Sequence, residues 1–172
     1  MNQTTRHILG TVALVGFVIS LVVHVTALMG VNLAARVPAI WLLHVGIFIV
    51  FMPFVLLSRK ELGREHALRR LRKGVPNWVA VVGTMLFIYA ITNFFSFMLH
   101  TEGGNPAVQD GRYVLLNHGK LIRELTTSEF TAFKANELRG FSGHWLLFYF
   151  VSAAYFLFWK PARVENLTGM PT

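Results

Sequence analysis

Residues 74–101 read GVPNWVAVVGTMLFIYAITNFFSFMLHT, without one Asp, Glu, Lys or Arg. A helix crosses the hydrocarbon core of a bilayer with about 20 predominantly apolar residues. This stretch is long and apolar enough to do so. Three more uncharged windows lie at 7–35, 37–58 and 140–159. Helices of globular proteins average about 11–12 residues, so four such windows do not suit a soluble fold. The pattern predicts an all-α membrane protein, a four-transmembrane-helix bundle with helices at about 8–29, 39–58, 78–99 and 142–159. The first apolar run exceeds the roughly 7–15 residues of a signal-peptide core and is therefore read as a helix.

Composition points the same way. Of 172 residues 54% are hydrophobic and 14% charged, against about 25% charged in an ordinary soluble domain. Mean hydropathy is +0.52. So few charges cannot cover a soluble surface, and so much apolar residue excludes a disordered tail. The absence of cysteine excludes disulfides, thiolate metal sites, iron–sulfur clusters and cysteine catalysis.

Lys and Arg set the orientation. Loop 59–76 carries seven basic residues, Arg59, Lys60, Arg64, Arg69, Arg70, Arg72 and Lys73, against Glu61 and Glu65. In 101–141, five basic residues are cancelled by five acids. The basic loop is therefore expected on the cytoplasmic side, with both termini. Trp41 and Trp145 then fall at outer ends of helices, and Trp78 and Trp159 at inner ends, where amphipathic rings prefer to sit. The basic run suggests a short helix resting on anionic lipid headgroups at 59–73, with Glu65 four residues before Arg69. No aromatic residue interrupts it to stack on bases, which argues against nucleic acid.

Residues 101–141 are the long hydrophilic stretch, expected to form an extracytoplasmic cap. Gly103-Gly104-Asn105-Pro106 reads as a turn cluster. Arg112 to Leu116 and Lys120 to Leu125 read as two strands joined through Asn117-His118-Gly119. Thr126-Thr127-Ser128-Glu129 has the pattern of a capping box. A helix of about three turns should follow and stop at Gly140, a common end residue. A hairpin and one helix hide little apolar area, so the cap is expected to pack on the outer mouth of the bundle, as a lid, a docking surface or an ordered connection.

The histidines are the most specific feature. His24 and His44 fall about five residues inside the outer ends of the first two helices, roughly 7–8 Å deep. His100 closes the third helix and His144 opens the fourth. An ionisable residue inside a membrane is a functional-site hypothesis, and imidazole binds haem iron and transition metals. Two readings stand. The rings hydrogen-bond between helices, or His24, His44, His100 and His144 hold haem b or a transition-metal ion. Small and polar residues suggest inward faces: Ala13, Gly16, Ser20 and His24 on the first helix, and Thr92, Ser96 and His100, beside Asn93, on the third. No acid lies within a predicted span, which argues against a carboxylate relay. Ser142 has no evident acid–base partner in sequence, which argues against a hydrolase.

The runs Leu43-His44-Val45-Gly46-Ile47-Phe48, His100 to Pro106, Asn117-His118-Gly119 and Gly140 to Trp145 resemble those of small uncharacterised four-helix bacterial inner-membrane proteins. That resemblance covers most of the chain. It implies an inner-membrane protein with four spans and implies no activity. In length, helix number and histidines the chain is also loosely similar to bacterial di-haem b-type cytochromes. That family needs histidine pairs near both membrane faces, and the inner half here has none within its helices. The leading expectation is a multi-pass membrane component without catalysis, docking another membrane or periplasmic protein through 101–141. The alternative is an outer-side haem b or metal-binding redox protein.

Overall fold

The computed structural model describes residues 1–62 and 67–160. The expected Glu65–Arg69 pairing falls on Glu65, outside the described residues. Helix α1 runs Gln3–Leu28, α2 Leu42–Leu62, the short α3 Ala67–Gly74 and α4 Asn77–Leu99. Three strands follow: β1 Asn105–Gln109, β2 Arg112–Asn117 and β3 Lys120–Glu124. Helix α5, Thr127–Ala153, continues into a π-helical turn, Ala154–Phe158. Two 3₁₀ turns, Leu33–Ala35 and Pro38–Trp41, connect α1 to α2. Four helices are long and apolar enough to cross a membrane.

The fourth span differs from the expectation. Gly140 does not end a cap helix; it lies within one helix reaching from the strands to Phe158, 32 residues in all. At about 1.5 Å per residue that is roughly 48 Å, against about 30 Å of hydrocarbon. The first turns, carrying Glu129, Lys134, Glu137 and Arg139, therefore project beyond the apolar part. The reason Gly140 stays helical is packing. A Cβ there would stand 2.7 Å from the Phe97 ring, so glycine lets α4 and α5 close up.

The same logic repeats along the bundle, and α5 is its hub. In the fourth candidate span, 56% of the apolar window is buried, against 17–33% in the other three. Helices α1, α2 and α4 each pack on α5. Tyr149 shows how. A Cβ on Gly16 of α1 would run into its ring, and one on Gly46 of α2 into its hydroxyl. The hydroxyl instead donates to the Leu43 carbonyl at 2.8 Å. The small-residue face expected on α1 is the buried one: Gly10, Ala13, Gly16, Ser20 and His24 all point inward. On α4 the buried polar residue is Asn93, while Thr92 and His100 are exposed. Thr92 tolerates this because its hydroxyl donates to the Ile88 carbonyl of its own helix, at 3.0 Å. Trp145 is fully buried rather than a belt residue, with Trp41 edge-on to it at 5.7 Å.

The strands form one antiparallel sheet in the order β1-β2-β3. Strand β1 was not expected, since Asn105-Pro106 reads as a turn. It is an edge strand, where proline leaves no ladder bond unmade. Both hairpins turn through two residues with positive φ, Asp110-Gly111 and His118-Gly119, as type I′ turns require. The sheet rests on the projecting turns of α5, with Leu115, Leu125 and Phe133 as its core and Tyr113 stacked on Phe130 at 4.3 Å. Arg123 ties it down, bonding Glu129 at 2.8 Å and Glu102 at 3.1 Å.

Candidate functional site

The predicted histidines occupy four different surroundings. His24 is the buried one, 2% exposed. Its Nδ1 lies 2.8 Å from Ser142 Oγ on α5 and its Nε2 2.5 Å from the Tyr89 hydroxyl on α4. The protons of this cluster can be placed. Ser142 has one hydroxyl proton, which it donates to the Leu138 carbonyl at 2.6 Å. Its oxygen must then accept from His24 Nδ1–H. Neutral His24 therefore carries a lone pair on Nε2, which accepts from the Tyr89 hydroxyl.

Ser142 thus has the histidine partner that its sequence neighbourhood did not reveal. The pair is not a hydrolytic dyad. Ser142 is 0% exposed, its proton points at a helix carbonyl, and the far side of His24 meets a phenol where a triad has a carboxylate. Around the pair, Asn93 donates from Nδ2 to the Arg139 carbonyl at 3.1 Å, and Arg139 Nη2 donates to Ser96 Oγ at 3.1 Å. A Cβ on Gly143 would overlap the Asn93 amide, so this glycine admits α4. Ser20 Oγ and Arg139 Nε are buried with no partner among the described residues.

The other three histidines stand apart from this network and from one another in their bonding. His44 is exposed, and its Nδ1 accepts from Trp145 Nε1–H at 3.0 Å. The neutral ring then carries its proton on Nε2, which leaves no free lone pair for a metal. His100 donates from Nδ1 to the Ser96 carbonyl at 2.6 Å, and His144 from Nδ1 to the Gly140 carbonyl at 2.9 Å. Those two rings keep an Nε2 lone pair, the tautomer that metal-binding histidines adopt. Among the described residues no three His, Asp or Glu side chains are grouped to hold a metal ion.

A second polar cluster lies at the other end of α5. Helix α1 brings Arg6 beneath the π turn, where Nη2 donates to the Tyr155 carbonyl at 2.9 Å and Nε to the Phe156 carbonyl at 3.2 Å. The guanidinium also lies over the Tyr155 ring at 4.7 Å and pairs with Glu61 of α2 at 3.5 Å. Glu61 accepts from the Tyr155 hydroxyl at 2.5 Å. Three helices meet in this knot. Sequence reading missed it, because Arg6 and Tyr155 are 149 residues apart. A lone arginine opening an apolar window was its one visible signal.

Set against models of protein families, curated proteins and solved structures, the chain matches none of them.

Proposed function

We propose that this chain is a multi-pass component of a bacterial inner membrane, with both termini and the basic loop cytoplasmic, that docks another membrane or periplasmic protein through residues 101–141. The observation that carries the reading is the sheet. Its inner side is anchored on α5, yet Val108, Leu121 and Ile122 are 61%, 58% and 44% exposed on β1 and β3. Edge strands are usually blunted, and Pro106 and Lys120 do so in part here; both strands still present apolar side chains, which suit strand addition by a partner. The histidine network supports a non-catalytic role, since His24, Ser142 and the Tyr89 hydroxyl spend their hydrogen bonds on one another and on a helix carbonyl.

The test uses a photo-crosslinker at Leu121 in intact membranes, with another at exposed Phe95 of α4 as control. A discrete adduct from Leu121, lost when Val108 and Ile122 become Lys, supports docking. Normal partner binding after replacement of the whole 105–124 sheet sinks it.

The second reading, haem b or a metal ion on the outer side, draws support from the free Nε2 of His100 and His144. His24 and His44 lend it less, their bonding being complete or of the wrong tautomer. Absorbance of purified protein, oxidised and reduced, with metal analysis, tests it. Stoichiometric haem or metal, lost in the His100→Ala, His144→Ala double variant, would establish it. A colourless, metal-free preparation after expression with both supplied would end it.

A further inference from the structure

A groove on the side of the bundle carries an inference independent of the sheet, resting only on the membrane placement. Helices α2 and α4 both pack on α5, and between them a cavity of about 550 Å³ stays open. That lies within the roughly 300–1,000 Å³ of small-molecule sites. Its walls are apolar: Phe51 of α2, Gly83 and Phe87 of α4, and Phe148 and Val151 of α5. Thr84, also in the wall, donates its hydroxyl to the Ala80 carbonyl at 2.9 Å. Among the described residues, the one charged side chain lining the cavity is Arg72 of α3. Helix α3 presents Arg69, Arg70, Arg72 and Lys73 and no acid among its eight residues.

The chemistry of an occupant follows. Dry walls take hydrocarbon, and among the described lining residues Arg72 alone offers side-chain donors beyond the helix bond of Thr84. A single guanidinium at one end, backed by further cations, takes an anion. A molecule apolar along most of its length and anionic at one end is an anionic phospholipid. We infer that the groove between α2 and α4 binds one such lipid, with an acyl chain along Phe51, Gly83 and Phe148 and its phosphate at Arg72. Gly83 has a specific part. A Cβ there would meet only Phe150, at 3.4 Å, so the missing side chain widens the groove without being needed for helix packing.

The experiment is native mass spectrometry of the delipidated full chain in detergent. It is titrated with phosphatidylglycerol and with phosphatidylcholine of the same acyl chains. One phosphatidylglycerol should bind saturably, at about tenfold lower concentration than phosphatidylcholine. Arg72→Gln should remove that preference. Gly83→Leu and, independently, Thr84→Phe should abolish the saturable adduct while circular dichroism shows unchanged helix content. Equal binding of the two lipids overturns the headgroup assignment. Retained binding in both groove-filled variants, or a protein dimer in place of the adduct, overturns the site. None of these outcomes depends on the strands, so loss of docking at Leu121 and loss of this lipid are separate results.

Discussion

At the sheet end of α5, buried His24, Ser142 and Asn93 form a network of neutral groups, with the Tyr89 hydroxyl reaching in from a residue 36% exposed. At the far end, Arg6 and Glu61 bring an ion pair to the Tyr155 hydroxyl and the π turn. Both clusters join three helices, and they differ in what fails when one member is lost. A neutral network loses hydrogen bonds, each worth about 1 kcal/mol net. A charged knot built on Arg6, whose side chain is 15% exposed, holds two carbonyls by charge-assisted bonds, each worth about 1.5–3 kcal/mol. The far end should therefore be the mechanical fastening of the bundle and the sheet end the adjustable one.

The sharpest way to break this contrast is Arg6→Ala. It unmakes the charged hydrogen bonds to two carbonyls of the π turn and leaves Glu61, 30% exposed, to the surroundings. At about 1.5–3 kcal/mol for each bond it should cost about 3–5 kcal/mol, read from denaturant unfolding in detergent. Arg6→Lys should recover only part, since an ammonium cannot fork to two carbonyls and lie flat on a ring. His24→Ala comes next, at roughly 2–4 kcal/mol for the cavity and lost bonds. Adding Tyr89→Phe should then cost almost nothing more, because its partner is already gone. If His24→Ala proves costlier than Arg6→Ala, the contrast is inverted.

Gly140→Ala tests the packing role assigned to glycine at the junction. Were Gly140 an ordinary helix-interior glycine, alanine would stabilise the helix by about 1 kcal/mol. Contact with Phe97 predicts the opposite sign, a loss of about 1–3 kcal/mol. The smallest effect belongs to the sheet's own anchor. Hydrogen bonds from the Thr126 backbone and hydroxyl, and then from Arg123, hold the Glu129 carboxyl down to about 2, from its usual 4.5. A depressed carboxyl contributes stability that is full above pH 4.5 and fades as pH falls toward 2. Near-UV circular dichroism of the stacked Tyr113 and Phe130 should loosen over that window. In Glu129→Gln it should stay flat.

What was legible in the sequence divides by distance along the chain. The four long apolar helices follow from charge-free windows, and their ends agree to within about five residues except where Gly140 is concerned. Thr126 and Glu129 form the capping box their spacing announces, and His118-Gly119 the expected turn. These are local signals. Strand β1 was hidden because Asn-Pro marks turns and edge strands alike. Gly140 was misread because a stop glycine and a packing glycine look identical until Phe97 is placed beside one. The histidines are a finer case. Depth can be counted at a fixed rise per residue, but facing depends on how each helix rolls against its neighbours. His24 turned inward and His44 outward for that reason. Long-range partners such as Arg6 with Tyr155 leave no periodic trace.

That α5 is the hub has a bearing on how the protein comes to be made. Chains enter membranes from the N-terminal end, and α5 follows α1, α2 and α4 in order of synthesis. Until it emerges, α4 lacks the surface it packs on, and Gly16, Gly46 and Asn93 face whatever the insertion machinery provides. Arg6, synthesised ahead of α2 and α4, waits for a π turn synthesised about 150 residues later. On the proposed membrane placement, a truncation before residue 127 would leave α1, α2 and α4 without their common partner, with the packing of α1 on α2 the main contact remaining, a natural mark for quality-control proteases. Closing the knot at the far end would then be the event that tells a finished molecule from an unfinished one.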